Sequence, residues 1–237
     1  MLKALAEYIV DQSKPYREKI GAGEYSDKEL SRICQPTAKA LHTSTLSSVV
    51  DYLKNNVDNV TEGKVVIHID GAQHVTLYHE LNNDKNRESF ISAIPTLPNV
   101  VIDRYINLED FGIMLRSMFI QSDTTYALLK ICGNITDENS LKYQDDGVSQ
   151  SVAARTGIAR VEQVDVPNQV KLQPFRTFAE VEQPESEFVF RLRKSGENIG
   201  AGIFEADGGA WKLEAIKRIK EYLGKELSGM DNVVILA

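Results

Sequence analysis

The strongest constraint on the fold is the stretch from Val65 to Glu80. Val65 to Ile69 is dominated by β-branched residues. After Asp70-Gly71, Val75, Leu77 and His79 alternate with Thr76, Tyr78 and Glu80. A period of two on both sides of a turn pair predicts a β-hairpin with one buried face. The same alternation returns at Phe188, Phe190 and Leu192, with Val189, Arg191 and Arg193 on the other face, and predicts a half-buried antiparallel strand that pairs with Ile199 to Phe204. Val161 to Val166, Val170 to Leu172, Val100 to Ile102, Tyr126 to Ile131 and Val233 to Leu236 read as further strands.

Helical spacing appears between these runs. Leu2, Leu5, Ala6 and Ile9 form one amphipathic stripe, and Leu46, Val49, Val50 and Leu53 form a second, with Ser44 or Thr45 as its cap. A helix is expected from Arg87 to Ile94, ahead of Pro95 and Pro98. Asn107 caps another, with Asp110 at the capping-box position, and Asp207 is expected to cap a last one from Gly209 to about Gly224. The sum is an α+β fold of mainly antiparallel sheet, with amphipathic helices at the N-terminus, middle and C-terminus. The polar stretch 136–157, with its Asp145-Asp146-Gly147 turn signal, divides an N-terminal half, 1–135, from a meander-helix-strand half, 158–237, unless the two halves form one continuous domain.

A chain of 237 residues with 42% hydrophobic and 26% charged residues buries a sizeable core without disulfides. Cys34 and Cys132 are distant in sequence and form no C-x-x-C pair, which predicts buried thiols in a reducing compartment. Met1 to Val10 lacks the unbroken apolar run of a signal peptide, and no run reaches the roughly 20 apolar residues of a membrane span. The expected location is the cytoplasm. A net charge of -7 disfavours nonspecific attraction to nucleic acid, leaving a local basic face as the route to such a partner.

Few residues suggest chemistry. The histidines are His42, His68, His74 and His79, but His74 and His79 stand an odd number apart and point to opposite faces of a regular strand, so a shared metal is disfavoured. There is no G-x-S-x-G elbow, G-x-G-x-x-G turn or P-loop. An acidic set remains: Asp145, Asp146, Glu180, Glu182, Glu205 and Asp207, with Arg176 and Lys212 near in sequence. Together these oxygen ligands would suit Mg²⁺ or Mn²⁺ and phosphodiester cleavage. Taken singly, they are turns, caps and ion pairs. Arg191, Arg193 and Lys194 form a short basic edge and Lys217, Arg218 and Lys220 a second, but eight acidic and eight basic residues balance from Glu187 to Ala237. Phe175, Phe178, Phe188, Phe190, Phe204 and Trp211 could stack bases, although alternation assigns several of them to the core.

Three segments carry a resemblance: Asp145-Asp146-Gly147-Val148-Ser149-Gln150, the run from Pro174 to Pro184, and Phe204-Glu205-Ala206-Asp207-Gly208-Gly209-Ala210-Trp211-Lys212. Together they resemble the YfdQ-like family of phage and prophage proteins, most strongly between residues 141 and 220. The resemblance implies a bacterial or phage origin and an accessory role inside the host cell, and it transfers no catalytic residue. The expectation is a non-enzymatic, self-assembling homo-oligomer without a cofactor, joined through the N-terminal helix and sheet edges. The final strand is a plausible edge-pairing element. Two alternatives are a metal-dependent nucleic-acid-processing enzyme using Glu180, Glu205, Asp207 and Lys212, and a module sequestering a small anion or a host defence protein, with Arg176 and Arg191 as contacts.

Overall fold

The computed structural model describes residues 2–20, 23–27, 37–82, 85–135, 150–156, 160–195 and 198–237. Two compact units divide the chain, Met1–Thr37 and Ala38–Ala237.

The first unit contains α1 (Leu2–Ser13), β1 (Arg17–Ile20) and β2 (Gly23–Ser26). β1 and β2 form an antiparallel hairpin. Every described side chain in this unit is exposed, including the Leu2, Leu5 and Ile9 stripe.

The second unit opens with β3 (Leu41–Thr43) and α2 (Leu46–Lys54), the latter capped by Thr45, whose side chain accepts the Ser48 N–H. The predicted hairpin follows as β4 (Val65–Gly71) and β5 (His74–Leu81), antiparallel, with the turn at Ala72-Gln73. Residues Arg87–Ala93, expected as a helix, are instead β6, the third strand of this meander. The reason is tertiary: in register with β5, Ile91 and Ala93 join Leu77 and Val75 in the core, an arrangement a seven-residue window cannot reveal.

Next come β7 (Ile106–Asn107), α3 (Leu108–Met118) and α4 (Asp123–Asn134). Asn107 caps α3 as expected, accepting the Asp110 N–H at 2.7 Å. The expected strand Tyr126–Ile131 lies inside α4, because Ser122 and Thr125 form a reciprocal capping box and Thr125, Leu128, Ile131 and Cys132 bury one helical face. Val100–Ile102 forms no ladder; the three residues pack against the core as irregular chain.

The remainder is β8 (Gln150–Thr156), β9 (Arg160–Val166), β10 (Gln169–Leu172), β11 (Ser186–Ser195), β12 (Asn198–Glu205), α5 (Ala210–Glu226) and β13 (Val233–Leu236). β8 and β9 form a separate hairpin. The predicted pairing of Phe188–Leu192 with Ile199–Phe204 is present, Phe190 facing Ile203 and Leu192 facing Ala201.

Two larger sheets organise the second unit, in the orders β13-β4-β5-β6-β3 and β10-β11-β12-β7. The first carries α2 and α5 over a core of Val49, Leu53, Val65, Ile67, Leu77, Ile219 and Leu223. The second packs α3 and α4 against Leu172, Phe188, Phe190 and Ile203. The segments either side of 136–157 are interleaved: β13 comes from the C-terminal half and joins the first sheet, while β7 comes from the N-terminal half and joins the second. Two glycines in β12 permit the latter contact, since a Cβ at Gly202 would stand 2.9 Å from the Arg104 carbonyl oxygen and one at Gly200 3.0 Å from that of Ile106. Among the described residues the sheet pairings are antiparallel except β13 with β4 and β3 with β6.

Candidate functional site

The sequence-predicted polar residues divide into separate groups. Asp145 and Asp146 lie outside the described residues. Arg176, Glu205 and Asp207 come together around Ser186 and Trp211, at the junction of the β10–β11 connection, the end of β12 and the start of α5.

Arg176 is the centre of this group and is nearly inaccessible, with 8% of its side chain exposed. Its Nη1 donates to Glu205 Oε1 at 2.8 Å and its Nη2 to Ser186 Oγ, while the guanidinium carbon lies 4.0 Å from the Trp211 ring centroid and 5.7 Å from that of Phe188. A flat, weakly hydrated cation suits this sandwich better than an ammonium would. Burial draws the Arg176 pKa down, and the hydrogen bond and charge of Glu205, with the charge of Asp207, oppose it.

Asp207 is tied to the same network through a hydrogen bond with the Ser186 side chain. Its Oδ1 also accepts the Gly209 N–H at 2.9 Å, closing the turn into α5. The expected cap is thereby corrected: Gly209, at φ +81°, occupies the N-cap position, and Asp207 acts two residues earlier as the turn's acceptor. Burial works against the Asp207 carboxylate, but the Ser186, Gly209 and Trp211 hydrogen bonds and the Arg176 charge outweigh it and hold its pKa below the usual value.

The backbone beneath Arg176 is equally committed. The buried Gln183 side chain accepts the N–H groups of Arg176 at 2.9 Å and Thr177 at 3.1 Å, and donates to the Phe178 carbonyl at 3.0 Å. Gln73 donates to the Arg176 carbonyl at 3.1 Å and the Thr177 hydroxyl to the Ala72 carbonyl at 2.5 Å, joining this loop to the β4–β5 turn. Beside the cluster is a groove of about 420 Å³ bordered by Lys171, Glu185, Ser186, Asp207, Trp211 and Glu214. The buried Trp211 Nε1 has no hydrogen-bond acceptor among the described residues.

The other candidates stand elsewhere. Glu180 Oε1 accepts both the backbone N–H and the hydroxyl of Ser47, at 3.1 and 3.0 Å, in the first turn of α2. A carboxylate there satisfies orphan helix donors and complements the helix dipole. Glu182 approaches Arg218 at 3.4 Å, and Arg191 is a half-buried residue of β11 opposite Gly202. Lys212 is exposed on α5, its Nζ 5.9 Å from the Trp211 ring centroid. Thus Arg176, Glu205 and Asp207 converge, whereas Glu180 serves α2. Among the described residues no three His, Cys, Asp or Glu side chains form a group able to hold a metal ion. His74 is held by Asp70 at 2.9 Å and Ser92 at 2.8 Å.

Sequence reasoning passed over Ser186, Gln183 and Ser47. A capping motif could have found Ser47 only if its partner were local, and Glu180 is 133 positions away. Gln183 belongs to an irregular segment, where patterning is silent, whereas Ser186 opens β11 on the inward face of Phe188 and Phe190, so extending that alternation by two positions would have marked it as a buried polar residue. No helix among the described residues is long and apolar enough to cross a membrane. Compared with known proteins, the chain matches no family model, no curated protein and no solved structure.

Proposed function

We propose that the protein is a non-catalytic homo-oligomer, an accessory protein of the phage or prophage kind working in the bacterial cytoplasm. The observation that carries self-association is the exposure of the first unit. Leu2 is 84% exposed, and Leu5, Tyr8, Ile9 and Val10 are each more than half exposed on one short helix. A helix of 12 residues is marginal in water by itself. Burying a Leu or Ile contributes about 1.5–3 kcal/mol, so covering this stripe with a second copy would stabilise helix and assembly together. The non-catalytic part rests on the polar cluster, in which Arg176 pairs with Glu205 and Ser186 and Asp207 accepts from the Gly209 N–H, with the buried Arg176 Nε left without an acceptor among the described residues. The phage assignment rests on the three resembling segments alone.

Light scattering coupled to size exclusion tests the reading. A mass of two or more chains is expected, falling in a Leu5→Glu/Ile9→Glu variant. A monodisperse monomer for the unaltered protein would overturn it.

The unpaired Trp211 indole N–H beside the groove favours a second reading, a module that holds a small ligand. Native mass spectrometry of protein purified from cells would reveal retained mass, and a clean apo mass would remove this reading. The nuclease alternative has less support, since Glu180 Oε1 is committed to Ser47 at α2 while Glu205 and Asp207 are committed to the Arg176 cluster.

A further inference from the structure

β13 is the outer strand of the five-stranded sheet. Its inner side is fully used: it runs parallel to β4 with Val233 beside Val65 and Leu236 beside His68. Its entry is pinned by Asn232, whose side chain donates to the Thr61 and Gly63 carbonyls at 3.0 and 2.9 Å. The Asn232 carbonyl accepts the Val65 N–H at 3.0 Å. Because backbone groups alternate sides along a strand, positions 232, 234 and 236 address β4, and the N–H and C=O of Ile235 point to the open side together with the Val233 C=O and the Ala237 N–H. The Val233 N–H is already given to the Met230 carbonyl, at 3.2 Å.

An exposed edge normally carries a guard: a charge, a proline, a bulge or a covering loop. Val233–Leu236 has no charge, no proline and no register shift against β4. Val234 and Leu236, on the face away from the core, are 43% and 50% exposed, while Val233 and Ile235 pack inward. The other edge, β3, is shorter by one residue and contains His42.

We infer that β13 pairs antiparallel with β13 of a second copy, about a two-fold axis at Ile235, joining two five-stranded sheets into one of ten strands. The open groups fit this register and are self-complementary. The two Ile235 residues exchange both backbone hydrogen bonds, and each Val233 C=O accepts the Ala237 N–H of the other copy. On the outer face Val234 meets Leu236 across the seam, twice, so apolar groups cover each other and no like charges meet. Four residues per copy bury less than the roughly 1,200 Å² of a stable interface, so the seam sets the symmetry while further apolar surface supplies area. This deepens the self-association reading and rests on it for the identity of the partner.

Two double variants at the exposed positions test the register. Val234→Lys/Leu236→Lys places like charges opposite each other at both crossings, whereas Val234→Lys/Leu236→Glu places opposite charges there. Association of the first is expected to be about tenfold weaker than that of the second, read by analytical ultracentrifugation with far-UV circular dichroism as the folding control. If both assemble like the unaltered protein, the seam is wrong and self-association stands. If both dissociate equally, the antiparallel register is wrong. If the unaltered protein is already monomeric, both readings fail. Should either variant misfold, hydrogen exchange on the unaltered protein decides: protection of the Ile235 amide that rises with concentration supports the seam, and concentration-independent exchange overturns it.

Discussion

Replacing Arg176 by Met keeps the length and apolar stem of the side chain and removes its charge. The structure sets the cost. Breaking a buried ion pair by deleting one partner costs about 3–5 kcal/mol. The Glu205 side chain is 29% exposed and retains some hydration, which puts the loss nearer 2–3 kcal/mol. Losing the cation from the Trp211 face adds about 1 kcal/mol. A total of about 3–4 kcal/mol, with a urea dependence of about 2–3 kcal/mol per molar, lowers the unfolding midpoint by about 1–2 M. Glu205→Gln alone is expected to cost about 2 kcal/mol, because it leaves a buried cation facing Asp207 alone. In Arg176→Met/Glu205→Gln the two losses overlap, and the double variant should recover about 1.5–2 kcal/mol relative to their sum. Urea titrations of the four proteins, followed by circular dichroism and tryptophan fluorescence, give the coupling. Additivity within about 0.5 kcal/mol would refute the view that Arg176 and Glu205 act as one structural pair.

Two further outcomes follow from burial and charge. Against burial, the hydrogen bonds from Ser186, Gly209 and Trp211 and the Arg176 charge hold the folded Asp207 carboxylate below the usual carboxylate pKa, so its contribution is present above the unfolded pKa and is lost as pH falls through the native value; Asp207→Asn should flatten the acid limb of a stability-versus-pH curve, and an unchanged limb would refute the assigned hydrogen bonds. Burial pushes the Cys132 thiol up to about 12, so in a Cys34→Ser background a thiol reagent at pH 8 should label native protein slowly and urea-unfolded protein at once, whereas rapid native labelling would contradict the packing of α4.

The legible elements were those whose pattern and partner are both local. The hairpin at 65–81 and the pair β11–β12 carry their period, and α3 its cap, within one short window, although the hairpin turns at Ala72-Gln73 and takes Asp70-Gly71, expected as the turn, into β4. Arg87–Ala93 and Tyr126–Ile131 were misread because a short apolar stretch fits either period, and the deciding facts were the β5 edge in one case and the Ser122–Thr125 capping box in the other. The box was itself written in the sequence. The β5 edge was not.

The candidate site divides along the same line. Alternation and cap chemistry by themselves determined the α+β class, the inward face of β11 and the helix start at Asn107, and narrowed the cap of α2 to Ser44 or Thr45, since each depends on neighbours within a few positions. Only tertiary structure could decide that Arg176 faces Glu205, 29 positions on, that Glu180 belongs to α2, 133 positions back, and that β13 lies beside β4 as an outer strand among the described residues. Those pairings follow from which buried surfaces meet when distant segments close, and no local period encodes the partner of a charge or the neighbour of a strand.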